Sequence, residues 1–428
     1  MVPHLVTALN GPLLDLEQKI LEATPAIERW FRLEWQEHTP PFYCTANLRN
    51  AGFKLAAVGT HLFPGSFNHL PQEVMPLAVQ ATMAAIEKIC PDAKNLLIIP
   101  SRGERDLSYL ENIARLAAIM RQAGLNVRFG TLDESVLEPV TLTLADGQNI
   151  VLEPLERSPR RLGLKNFDPC SILLNDVLDT GVPEALRNLH EQYLLPPLHA
   201  SQSARRLATH FACYDEVAKK FAKMAEIDPW MVSPYFAHVK SAAVKSRGKT
   251  SDLADAVDGV LKKIARKYRE YGIAERPYVV VKSNAGVGDV LSLRDAEQAE
   301  RWRQSTGISA EEDLIVQEGV YTFERMGEKS DRGDRGEGGE VAEPVVFMID
   351  RYVVGGFYRT HRDRERDQSL NVPGVRYVPL GFEHTALPDA HTRAAPPNRF
   401  YLYGVVARLG LLAASIELER SDPEAIQV

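Results

Sequence analysis

The chain has 428 residues, 25% of them charged and 45% hydrophobic, with a net charge of −7 and a pI near 5.9. That length asks for two domains, and the acidic balance excludes a general nucleic-acid binder. Four cysteines, Cys44, Cys90, Cys170 and Cys213, lie far apart in sequence with no C-x-x-C pair. This excludes the common zinc and disulfide frameworks and fits a reducing cytoplasm. The N-terminus carries acids early and lacks a basic n-region, so no signal peptide is expected, and no apolar run reads as long enough to cross a bilayer.

In chain order, 13–35 reads as one amphipathic helix, with Leu13, Leu14, Ile20, Leu21, Ile27 and Phe31 on one side. Residues 39–71 are rich in Asn, Gly, Pro and aromatics without periodicity and read as a long functional loop. Arg49, Asn50 and Lys54 among its aromatics suit a pocket for a small charged ligand, and arginine suits a bidentate grip on a carboxylate. A helix is expected over 71–90. NLLIIP, 95–100, is a continuous apolar strand of the kind buried in a parallel sheet. The loop at its carboxyl end carries Arg102 and Arg105, where open α/β sheets place ligands. A helix over 107–123 stops at Gly124. A strand follows at 126–129, then a hairpin over 140–155 turning at Asp146-Gly147, then an apolar strand at 171–174. This alternation makes the first half an α/β domain. The Pro-Pro stretch at 195–200 is the expected hinge between a domain of 1–198 and one of 199–428.

In the second half, helices are expected over 205–224 and 252–271, the latter with Lys262, Lys263, Arg266 and Lys267 as a solvated face. Next, an apolar strand ends in Lys282, a small-residue turn holds Gly286 and Gly288, and a second short strand leads to Leu293. The lysine is a point charge for phosphate oxygens, and the glycines let backbone N–H groups approach them. The lysine precedes the glycines, so this is not a P-loop, and a glycine pair in a hairpin is by itself only a turn. A helix near 294–303 and a strand at 314–316 lead into Gln317 and Glu318. A charged, glycine-rich insert between 324 and 343 reads as mobile. Two strands joined at Asp350-Arg351, a loop with Asn371, and a helix over 400–417 complete the chain.

The order of these elements resembles the ATP-grasp superfamily. The phrases LRNAGFKLAAVGTHLFPGSFN, ILLND, KYREYGI, VQEGVYTFER, AEPVVFMIDRYVVGGFYRTH and LNVPGVRYVPLGF, spread over about 40–382, are similar to the proteobacterial type of glutamate–cysteine ligase. The resemblance implies an α/β fold in which a pre-ATP-grasp-like N-terminal domain precedes an ATP-grasp-like domain of two lobes. It implies an ATP- and Mg²⁺-dependent ligase that joins the γ-carboxylate of glutamate to the amine of cysteine through an acyl phosphate, the first step of glutathione synthesis. On that resemblance Lys282, Gly286, Gly288, Gln317, Glu318 and Asn371 would contact ATP. Arg351 and Arg359 would neutralise the phosphoryl path, and Arg49, Asn50 and Lys54 would hold glutamate. Asp350 and Asn371 would hold Mg²⁺. Three departures accompany it: the SNAGVGDV flap is shorter than usual in the family, the polar residues of GTHLFPGSFNHL and SRGERD are changed, and no Glu-x-Asn follows Asn371. Two further readings stay open: a ligase for another carboxylate and amine, and a nucleotide-binding protein without turnover.

Overall fold

A strand buried on both faces needs a layer on each side, and Asn95–Pro100 has one. Leu96 and Ile98 point into a core shared with the helices Met75–Ile89 and Leu107–Gln122, while Leu97 and Ile99 point into a second core built by Leu162, Phe167, Leu178 and Leu186. The computed structural model that gives this arrangement describes residues 4–6, 11–103, 106–240, 251–286, 288, 290–306, 313–327, 339–380 and 399–424. Asn95–Pro100 lies inside a six-stranded sheet in the order Tyr193–Leu195, Ser171–Asn175, Asn95–Pro100, Asn126–Thr131, Asn149–Pro154, Val140–Thr143. The first five strands are parallel and the last closes the edge as an antiparallel hairpin. Gly124, at φ +93°, ends the second helix as expected.

A seven-stranded antiparallel sheet packs beside this unit. Its central strand, Glu340–Ile349, pairs with Tyr352–His361 on one side. On its other side it pairs with Glu324–Gly327 and then with Tyr43–Asn50, which in turn pairs with Leu55–His61. The segment 39–71, expected as a loop, therefore supplies two strands. Its alternation is real: Cys44, Ala46 and Leu48 enter one core, while Asn47 and Arg49 face the other way. A register shift at Asn47/Leu48 and the polar outer set hid it. Because Val345 to Ile349 pair with Asn47 to Tyr43, a boundary at residue 198 would cut through one sheet.

The third sheet is small and antiparallel, in the order Phe236–Val239, Leu314–Glu318, Val279–Ser283, Leu291–Leu293. The helix Asp252–Glu270 packs on it and also contacts the helix Ala296–Thr306. Val279 and Val281 join that core, so Val280 and Lys282 face outward.

Other expectations need correction. The helix over 13–35 is two, Gly11–Glu22 and Thr24–Glu37, because Pro25 fits a first helical turn and not an interior one. The flanks of the charged insert are paired strands, with Glu324 opposite Ala342. Its centre, 328–338, lies outside the described residues, as do Arg105 and flap positions 287 and 289. The stretch Phe400–Ser421 is in fact long and apolar enough to cross a membrane, but 89% of its apolar window is buried inside the protein. Its helix, Arg399–Ser421, packs against Tyr43–Asn50, Leu55–His61 and the helix Leu207–Ala225. Cys90 and Cys170, distant in sequence, lie within side-chain reach of each other as free thiols.

Candidate active site

The small sheet and the seven-stranded sheet face each other across a cleft of about 380 Å³. Strand alternation sends Val280 and Lys282 into it from one side and Asn47, Arg49, Glu343 and Arg359 from the other. The end of Leu55–His61 and Arg205, just before the helix Leu207–Ala225, form the floor. Gly286 and Gly288, at φ +74° and +82°, line the rim, where a side chain would be strained.

Cations dominate this space. Lys282 donates from Nζ to the Val58 carbonyl (3.1 Å) and lies 5.6 Å from the Phe211 ring. Burial of the ammonium, with the Arg49 charge adding to it, pushes Lys282 down to about 8. Arg205 grips both oxygens of Glu417 (2.8 and 2.9 Å) and donates to the Thr60 carbonyl (2.6 Å). Burial raises the Glu417 carboxyl, but Arg205 and His210, through charge and hydrogen bonds together, outweigh it and draw it down to about 2. Glu343 holds Arg49 Nε (3.1 Å) on one oxygen and Arg359 Nη1 (2.9 Å) on the other. His61 sits among them with Nε2 3.1 Å from Asn47 Nδ2. Crowding by the cleft walls, with the charges of Arg205, Arg359 and Lys282 adding to it, lowers its imidazole from the ordinary value, while the residue stays exposed to the water of the cleft. Such a concentration of positive charge favours a polyanion. Two buried polar atoms of cleft residues have no partner, Gln317 Oε1 and Arg359 Nε.

Eight of the residues expected from the sequence converge here: Arg49, Lys282, Gly286, Gly288, Gln317, Glu318, Arg359 and Asn371. Arg49 is already engaged by Glu343, the Tyr278 hydroxyl (3.3 Å) and the carbonyls of Val320 and Gln368, so it orders the cleft wall and has no free fork for glutamate. The Glu318 carboxylate accepts from Lys54 Nζ (2.9 Å), Trp230 Nε1 (2.9 Å) and Tyr235 N (2.8 Å).

Four expected residues lie outside the cleft lining. Lys54 is 1% exposed, tied to Glu318 and the Ser233 carbonyl (3.0 Å). Asn50 is buried, donating to Glu324 (3.0 Å) and accepting from Gly52 N (2.9 Å). Asp350 forms a turn at φ +50° and pairs with Lys88, and Arg351 beside it lies over Tyr352. Asp350 and Arg351 fall at the hairpin tip because the strands on either side are ten residues long and carry Glu343 and Arg359 into the cleft instead. Arg205 and His61 were missed. Arg205 stands at a helix start, and His61 ends a strand whose sequence reads as loop.

A positively charged cleft between two antiparallel sheets, with a glycine turn beside a strand lysine, is the equipment of an enzyme that handles phosphates. The comparisons with known proteins agree. The chain belongs to the GshA glutamate–cysteine ligase family, whose family model matches residues 17–418, and is therefore a ligase. It is similar to the crystal structure of the "Putative gamma-glutamylcysteine synthetase" from Methylobacillus flagellatus KT, with 46% identity and a TM-score of 0.87 over 99% of this chain and 100% of that one. A weaker likeness, 11% identity and TM-score 0.43 over 84% of this chain and 87% of the other, is to a glutathione synthetase-like effector, GSS30, from Globodera pallida. No curated protein matches the chain. The family makes γ-glutamylcysteine for glutathione and uses ATP.

The cleft fits the phosphates of ATP through its cations and the unpartnered donor Arg359 Nε. Its described residues form no magnesium site from protein alone. Among the described residues no group of three His, Cys, Asp or Glu side chains converges, and Asp350 lies outside the cleft that Asn371 lines. The carboxylates of Glu318, Glu343 and Asp367 are each spent on a Lys or Arg.

Proposed function

We propose that this protein joins glutamate to cysteine by way of an acyl phosphate, in the cleft between the two antiparallel sheets, acting as an ATP-grasp-like pair of lobes in the cytoplasm. The observation that carries the reading is the convergence of Lys282, Arg205 and Arg359 around one water-accessible space under a glycine turn. The triphosphate lies along these cations. The glutamate γ-carboxylate attacks the terminal phosphorus and ADP departs, leaving a mixed anhydride. The cysteine amine then attacks the acyl carbon and phosphate leaves.

Little covalent chemistry is asked of the protein. Lys282 and Arg359 neutralise charge as it moves along the phosphoryl path, and fixed cations do so without reorganising at the moment of reaction. Glu343 keeps Arg359 in place, and Glu417 does the same for Arg205. The turn at Gly286 and Gly288 covers the rim and keeps water from the anhydride. Mg²⁺ arriving with the nucleotide would add to the charge neutralisation that Lys282, Arg205 and Arg359 supply. The test is isotopic. Glutamate labelled with ¹⁸O in its γ-carboxylate delivers one ¹⁸O to the inorganic phosphate released. Unlabelled phosphate would overturn the acyl-phosphate route.

A further inference from the structure

Joining an amine to an acyl phosphate has a second requirement that cations cannot meet. The cysteine amine arrives as an ammonium ion and must lose a proton before it has a lone pair to attack with. Three carboxylates and one phenol line the cleft, and each is committed. Glu318 is paired with Lys54, Glu343 with Arg49 and Arg359, and Asp367 with Arg294. The Tyr278 hydroxyl donates to the Val320 carbonyl (2.9 Å). Among the described cleft residues His61 and Lys282 are the remaining titratable groups outside any ion pair, and the His61 ring reaches the water of the cleft.

We propose that His61 is the general base that deprotonates the cysteine amine, and that the phosphate charge bound beside it brings it into action. The inference rests on the acyl-phosphate reading above. In the neutral ring Nε2 accepts only an amide N–H from Asn47, and an ammonium, as a charged donor, displaces that neutral one. Nε2 takes one proton from the ammonium. The nitrogen lone pair forms the C–N bond, and the C–O bond to phosphorus breaks with its electron pair going to phosphate. The second proton of the nitrogen goes to that departing phosphate, and His61 returns its own proton to water.

The groups facing His61 explain the timing. Arg205, Arg359, Lys282 and His210 surround it, with Glu417 and Glu343 behind the two arginines. Burial against the cleft walls comes first, and the charges of Arg205, Arg359 and Lys282 add to it, in holding the imidazole well below the ordinary histidine range. Phosphate oxygens laid against the same cations offset their share of that depression and raise the ring toward the ordinary histidine range, which makes it a stronger base near neutral pH. Lys282 is the alternative base, and the same anion disqualifies it. Phosphate beside its ammonium raises it from about 8, so it stays charged while nucleotide is bound.

Two experiments test the assignment. In the wild-type protein the His61 ring resonances, assigned by their loss in His61→Gln, are titrated with and without a non-hydrolysable ATP analogue. The expected result is a rise in the His61 pKa on binding; an unchanged or lowered value overturns the proposal. The second experiment compares cysteine with hydroxylamine as acceptor, since hydroxylamine is uncharged at neutral pH and needs no base. His61→Gln is expected to lose roughly 10²-fold in kcat with cysteine while keeping γ-glutamyl hydroxamate formation and its KM for ATP. It also loses the acidic limb of the pH profile with cysteine. Equal loss with both acceptors refutes the base role and places His61 in the phosphoryl step. Absence of hydroxamate from the wild-type enzyme would count against the acyl phosphate itself, which separates the two failures.

Discussion

Lys54 offers the sharpest contrast between a pocket residue and a structural one, and Lys54→Met separates the two roles. The ammonium lies 2.9 Å from Glu318 Oε2, 3.0 Å from the Ser233 carbonyl and 4.5 Å from the centre of the Trp230 ring. Burial, partly offset by Glu318, pushes it down to about 8. Methionine keeps most of the stem's volume and removes the charge, which strands the Glu318 carboxylate. Breaking a buried pair from one side costs about 3–5 kcal/mol. Glu318 keeps two donors, Trp230 Nε1 and Tyr235 N, so the lower end, about 3 kcal/mol, is expected. Urea unfolding followed by tryptophan fluorescence reads the loss, because Trp230 sits in the cluster. Lys54→Met/Glu318→Gln is expected to recover much of it, since no charge is then left unpaired. The KM for glutamate stays unchanged where the variant is folded. Unaltered stability together with a raised KM for glutamate would refute the structural assignment.

Three further outcomes follow from the same geometry. Arg351→Ala, at a hairpin tip away from the cleft lining, leaves kcat and KM unchanged in a steady-state assay, whereas Arg359→Gln lowers kcat and kcat/KM together because its contact develops in the transition state. Gly319→Ala brings a Cβ within 2.2 Å of the Tyr278 ring, which must shift; a loss of about 1–3 kcal/mol in urea unfolding and weaker ATP binding are expected. Glu417 titrates near 2 in the fold against an ordinary 4.5, so its stabilisation, on the order of 3 kcal/mol, is full above about pH 4.5 and is lost as pH falls toward 2. His210, kept neutral by burial, acts in the same direction below its ordinary 6.5, and Glu417→Gln flattens the lower part of an acid-unfolding curve.

Much of this fold was legible because its signals were local. Asn95–Pro100 was read from an unbroken apolar run, Gly124 from its place after a helix, and the Val140–Thr143 hairpin from Asp146-Gly147. The strands Tyr43–Asn50 and Leu55–His61 were not, because their outward residues are cleft groups and a register shift breaks the pattern. Pairing between residue 45 and residue 347 has no local signature at all. The site was half legible for the same reason. Lys282 and its glycines form one contiguous device, and family phrases marked the strand with Arg359. Which of two arginines on a hairpin enters the cleft depends on strand length, and whether a lysine meets a ligand or a buried glutamate depends on a partner 264 residues away.

The central claim is that the cation at the end of Val279–Ser283 holds a nucleotide triphosphate in the cleft, and the most direct test is calorimetric titration of ATP against the wild type and Lys282→Ala. Loss of one charge-assisted contact to phosphate is worth about 1.5–3 kcal/mol, so Kd is expected to rise roughly 10- to 100-fold in the variant. An unchanged Kd, in a variant that unfolds at the same urea concentration as the wild type, would contradict the account.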